Sequence, residues 1–139
     1  MEGQFTAGDL SRVHFLGYIP YQHFIPLLQL STVHVYLTYP FILSWSLLEA
    51  MSVGCAIIAS DTQPVREAIR DNETGRMLSF FDSRALADRV CDLLDRPDER
   101  AKLGAAARAF AKATYDLKTV CLPRQIEWLR DLGQRGNRL

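Results

Sequence analysis

The sequence predicts an α/β fold, a parallel sheet of about four short strands flanked by helices and followed by further helices. Two observations carry that reading. Short apolar runs closed by Gly, Pro, Ser or Thr alternate with segments whose apolar residues recur at helical spacing. From Val13 to Leu48 there is no Asp, Glu, Lys or Arg, as expected of strands and a helix buried inside a domain. The length of 139 residues suits one sizeable core.

The elements follow in order. Val13–Leu16 is a short apolar run ended by Gly17 and reads as a first strand. Tyr21–Leu30 reads as a helix with Phe24, Leu27 and Leu28 on its apolar face and Pro26 restricting its start. Val33–Leu37, rich in β-branched and aromatic residues, is a second strand. Thr38–Leu43 is a loop, and Ser44 caps a helix that runs to Gly54. Ala56–Ala59 is a third strand, and Pro64 leads into a helix over Val65–Ile69. Asp71–Gly75 is a turn by composition, and Arg76–Phe80 a last short strand.

The remainder is helical. Leu86, Val90, Leu93 and Leu94 share a helix face capped by Asp82 or Ser83. Pro97 opens the next helix, with Asp98 and Glu99 suited to its dipole and Leu103, Ala106, Ala107 and Phe110 as its stripe. A final helix, started or broken at Pro123, carries Ile126, Leu129 and Leu132. Residues 1–115 are expected to form the sheet domain and residues 116–139 a helical extension.

Composition narrows the function. Lys plus Arg number 16 and Asp plus Glu 16, so the basic excess expected of a nucleic-acid partner is missing. A membrane span does not fit the charge-free stretch, because Gly17, Pro20, Pro26 and Pro40 interrupt it. Cys55, Cys91 and Cys121 show no metal-ligand spacing and are expected to be buried, reduced thiols of a cytoplasmic protein. No basic and apolar leader is seen at the N-terminus. His14 and His34 are read as core or edge strand residues and His23 as a helix residue. Neither GxGxxG nor GxxxxGK[ST] is present, and no metal or cofactor is implied.

The segment from Val33 to Gly54 holds the chemistry. A parallel strand leading through a tight loop to a helix start is where α/β folds bind phosphates. Free N–H groups around Leu43, Ser44 and Trp45 are expected to face the ligand, with the Ser44 hydroxyl beside them. Glu49 lies about 7.5 Å along the helix and leans back toward its start. Its carboxylate can meet ribose hydroxyls while a pyrophosphate sits on the helix start, although spacing alone favours a solvated helix glutamate. Ile42 and Trp45 are assigned to core packing, with an apolar pocket rim as the alternative. Asp61 and Thr62 either line the pocket or cap the following helix. Arg66 and Arg70 read as solvated helix charges.

Several runs resemble a known family. Leu48-Glu49-Ala50-Met51-Ser52-Val53-Gly54-Cys55-Ala56-Ile57-Ile58-Ala59-Ser60 is similar to the "LEAMAxGxPVVAS" segment of retaining GT-B glycosyltransferases of family 4, the glycogen-synthase-like group. Val13–Gly17 resembles that family's "VxFLG" strand, and Glu67–Gly75 its "PEVIxDGxTG" run. Asp82–Phe110 resembles its helical tail, most closely at Leu103–Arg108. The four runs stand in the family's order.

The resemblance implies the C-terminal, donor-binding half of a Rossmann-like GT-B domain. The implied activity is transfer of a sugar from a nucleoside-diphosphate sugar to an acceptor. Glu49 matches the second glutamate of the family's E-x7-E pair and is thereby expected to hold the ribose, with Gly17 and Tyr18 against the nucleobase. The first glutamate would fall on Phe41, so Phe41 and Ile42 occupy the donor-sugar region without a carboxylate. The family's GRxxxxKG strands and acceptor domain have no counterpart in the sequence. The chain is therefore expected to be inactive alone, and its partner is expected to be the missing N-terminal domain or a second copy. The alternative is a non-enzymatic remnant or association module that binds a nucleotide weakly or not at all.

Overall fold

The computed structural model describes residues 8, 11–39 and 42–136. Its elements are α1 (Tyr21–Leu30), β1 (His34–Tyr36), α2 (Trp45–Val53), β2 (Ile57–Ser60), α3 (Gln63–Arg66) and β3 (Arg76–Leu78). They are followed by α4 (Ser83–Asp95), α5 (Pro97–Tyr115), a π-helical turn (Leu117–Cys121) and α6 (Leu122–Gly136). The strands form a parallel sheet in the order β1-β2-β3, with Val35 opposite Ile58 and Ala59 opposite Met77.

β2 is the centre of the molecule, buried at all four positions. Its pleat sends alternate side chains to opposite faces. Ile57 and Ala59 join Leu28 of α1, Leu47 and Met51 of α2, and Ala107 and Ala111 of α5. Ile58 joins Leu78 of β3, Leu93 of α4 and Leu103 of α5, with Leu86 and Val90 packed against them. Helices therefore cover both faces of the sheet, the α/β layering expected from the sequence.

The helix ends follow local chemistry. The Ser44 side chain accepts from the N–H of Ser46, and α2 ends on Gly54 at φ 84°, a left-handed position that a side chain would strain. Asp82 caps α4 through the N–H of Ala85, and Pro97 stands in the first turn of α5 beside Asp98 and Glu99. A Cβ built on Gly104 would overlap the Gly54 carbonyl oxygen, so the glycine lets α5 lie directly on the end of α2.

Four expectations are corrected. Val13–Leu16 makes no ladder, and the sheet has three strands among the described residues. The run has strand-forming side chains, but a strand also needs a neighbour for its N–H and C=O groups. Val13, Phe15 and Leu16 are exposed as a result, and His14 with them. Pro26 lies inside α1 rather than at its start, because the helix face bearing Phe24, Ile25 and Leu28 is held by the core. Leu94 points outward while Leu93 carries the α4 contact. Cys91 is exposed and Cys121 half-buried; Cys55 alone is buried as expected, and burial pushes its thiol pKa up.

Candidate functional site

The loop after β1 and the start of α2 lie at the C-terminal edge of the sheet, where parallel α/β sheets bind ligands. Ser60, the last residue of β2, fixes that loop. Its Oγ donates to the carbonyl of Thr38 at 2.7 Å and accepts from the Thr38 N–H at 2.9 Å. Tyr36, at the end of β1, reaches the start of α2, its hydroxyl accepting from the N–H of Ser44 at 3.1 Å. Ser44 Oγ lies 2.9 Å from Ser46 Oγ and 3.3 Å from the Ser46 nitrogen.

These bonds change the expected phosphate cradle. The N–H groups of Ser44 and Ser46 are occupied by Tyr36 and by the cap. Leu43 and Trp45 have N–H groups without a hydrogen-bond partner among the described residues. Ile42 and Trp45 are 73% and 83% exposed, so they take no part in the core. Leu43, by contrast, packs against the core cluster. Phe41 lies outside the described residues.

Glu49 is half-buried on α2 and accepts a hydrogen bond from the Tyr21 hydroxyl at 2.9 Å. That hydrogen bond, together with the adjacent negative charge, raises the Tyr21 pKa above the usual phenol range. Gly17, at φ 60°, and the exposed Tyr18 stand in the coil that leads into α1. The structure thus brings the start of α1 to the middle of α2, with Glu49 and Tyr21 in direct contact. Sequence reading missed Tyr21 and Tyr36, because each acts on a residue far along the chain.

The remaining candidates are otherwise engaged. Asp61 takes a two-pronged ion pair from Arg66, at 2.6 and 2.9 Å, which lowers the pKa of its carboxyl. Thr62 occupies the cap position of α3 but makes no cap bond, and its buried Oγ1 has no partner among the described residues. The Arg70 guanidinium lies over the Phe110 ring at 5.2 Å. His34 is half-buried, and burial lowers its pKa. Among the described residues no three His, Cys, Asp or Glu side chains are grouped to hold a metal, and no helix is long and apolar enough to cross a membrane.

This arrangement has relatives. The family described as glycosyl transferases group 1 matches residues 7–110, three quarters of the chain. The chain belongs to that family. It is 34% identical over 113 residues to EpsD of Bacillus subtilis (strain 168), whose name places it among glycosyltransferases. That match covers 81% of this chain and 29% of EpsD. It is also 40% identical over 74 residues to the phosphatidyl-myo-inositol mannosyltransferase of Mycobacterium leprae (strain TN), over 53% of this chain and 20% of that protein.

Among solved structures, sucrose-phosphate synthase from Thermosynechococcus elongatus superposes with a TM-score of 0.78 at 24% identity. The match covers 91% of this chain and 32% of that one. Anabaena HepE, solved in complex with UDP-glucose, gives 0.77 at 22% identity over 89% of this chain and 33% of its own. The fold of this group 1 chain is thus that of the Rossmann-like C-terminal half of GT-B glycosyltransferases. The chain spans less than a third of the curated relatives named here.

Proposed function

We propose that the chain is the donor-binding portion of a retaining glycosyltransferase, taking up a nucleoside-diphosphate sugar between the starts of α1 and α2. The single observation that supports this best is Glu49, a carboxylate standing beside a helix start at the C-terminal edge of a parallel sheet. A carboxylate there can accept from two ribose hydroxyls, while the diphosphate meets the N–H groups of Leu43 and Trp45. The helix dipole favours an anion at that end by about 0.3–1 kcal/mol. Gly17 and Tyr18 fit the side of the nucleobase. Ile42 fits the side of the sugar, where it offers apolar contact in place of a carboxylate. HepE has been solved with UDP-glucose, which favours the same class of donor here.

With no cation from Val13 to Leu48, binding by this chain alone is weak, with a Kd above roughly 1 mM, about −4 kcal/mol. The missing cations and an acceptor-binding domain would come from a partner, either a further domain or another chain. Chemical-shift mapping with UDP and GDP tests the reading. Shifts are expected at Gly17, Tyr18, Leu43–Trp45 and Glu49, and shifts confined to Ala101–Gln125 would exclude it.

A further inference from the structure

Among the described residues, the hydrogen bond from Tyr21 to Glu49 is unlike the contacts that other carboxylates make to side chains of neighbouring elements, which are made to arginine. Asp61, Asp92 and Glu99 each face an arginine. Glu49 faces a neutral phenol at 2.9 Å, and no cation pairs with it among the described residues. As a stabilising contact this bond contributes little, since Tyr21 is 66% exposed and water can replace either partner. Its effect is directional. A glutamate has many rotamers, and fixing one of them on binding costs affinity. The tyrosine has few, and its ring is held near Phe24, with centroids 6.4 Å apart, at the start of a helix anchored by Leu28.

We infer that Tyr21 is a positioning residue for ribose recognition, presetting the Glu49 carboxylate for the ribose hydroxyls of the nucleotide. The inference rests on the donor-site reading given above. A carboxylate has about four acceptor positions. Tyr21 fills one on Oε1, which leaves enough for both hydroxyls of a ribose diol. A neutral partner also leaves the full negative charge on Glu49, so its acceptor strength toward those hydroxyls is not spent on an ion pair. The phenol is suited to a standing donor role, because the neighbouring carboxylate keeps it protonated beyond the usual phenol range.

The test is an NMR titration of the full chain with UDP and GDP and with their 2′,3′-dideoxy counterparts, for the wild type, Tyr21→Phe, Glu49→Gln and the double variant. Phenylalanine keeps the ring beside Phe24, and unchanged amide spectra elsewhere confirm folding. The wild type is expected to prefer the ribose forms. Tyr21→Phe is expected to weaken them about 3- to 10-fold and to leave the dideoxy forms unchanged. The double variant should be no worse than Glu49→Gln alone, because Tyr21 acts through Glu49. If Glu49→Gln removes the ribose preference and Tyr21→Phe does not, the Tyr21 inference fails and the donor site stands. If Tyr21→Phe weakens ribose and dideoxy forms equally, its role is structural and the inference fails. If neither variant changes the ribose preference, or no nucleotide shifts any residue of the site, both readings fall.

Discussion

The Tyr21 hydroxyl donates to Oε1 of Glu49 across 2.9 Å, joining the first residue of α1 to the fifth of α2. Between those helices the chain carries no Asp, Glu, Lys or Arg, so Glu49 is the first such side chain on α2 and Tyr21 its contact on α1. On the donor-site reading, neutral hydroxyl donors are expected to be held well there and a doubly charged diphosphate poorly.

That polarity bears on catalysis. A departing nucleoside diphosphate gathers negative charge, and each preorganised electrostatic contact that is lacking typically costs about 100- to 1000-fold in rate. The isolated chain is therefore expected to transfer no sugar from UDP-glucose or GDP-mannose to added acceptors. Turnover by the purified chain that disappears in Glu49→Ala would refute this.

Much of this architecture was legible because it is local. Ser44, Gly54, Asp82 and Pro97 mark helix ends through bonds or backbone angles that span a few residues, and all four do so in the structure. What sequence could not supply depends on distant partners. Val13–Leu16 has a strand's side chains, but whether it pairs is decided by what lies beside it. Trp45 has a core residue's side chain, but the helix start carries it outward. Tyr21 and Glu49 are 28 residues apart, and no periodicity links them. Gly104 read as part of a family run, while its physical task, clearance for the Gly54 carbonyl, appears only when α5 meets α2.

Gly104→Ala is accordingly expected to destabilise the chain. The new methyl meets backbone that cannot rotate away, which in well-packed interiors costs about 1–3 kcal/mol. The control is Gly133→Ala on α6, where a Cβ would meet nothing within 4 Å. Urea unfolding of both should show a lower midpoint for the first and an unchanged or higher one for the second.

Acid should weaken the tie between β3 and the helices packed on it. Arg76 is nearly buried and donates to Asp92 at 2.6 Å and Glu99 at 2.5 Å. Its hydrogen bond holds the Glu99 carboxyl below the usual glutamate range, against an opposing effect of burial and with a smaller contribution from its charge. A carboxyl depressed in the folded state stabilises it above the unfolded pKa, about 4.3. That stability is lost as the pH falls through the folded value. Arg76→Ala should cost about 2–3 kcal/mol at pH 7, less than for a fully buried pair because both carboxylates keep contact with water. The gap between Arg76→Ala and the wild type in urea midpoint should shrink between pH 5 and pH 3; a gap independent of pH would count against the ion pair.

Association is the remaining expectation, and two surfaces favour it. Among the described residues no strand pairs with the outer edge of β1, and neither Val33–Leu37 nor its flanks carry a lysine to discourage pairing. Beside that edge, Phe24, Leu27, Leu28, Leu30, Ser31 and His34 line a groove of about 340 Å³. The second surface is α6, which meets the chain chiefly through the π-helical turn before it. Leu122, Ile126, Leu129 and Leu132 lie three or four residues apart along α6 and are all exposed, as is Trp128. Exposed apolar stripes of this kind favour self-association where nothing else covers them. Light scattering over a dilution series should therefore show a dimer or larger species at high micromolar concentration. Val35→Lys charges the strand edge and Leu129→Glu charges the helix, so the variant that restores the 15.8 kDa monomer identifies the surface used. A wild-type chain that is already a uniform monomer under those conditions would show that neither surface suffices, because an unpaired edge and an uncovered stripe would then both be tolerated in water.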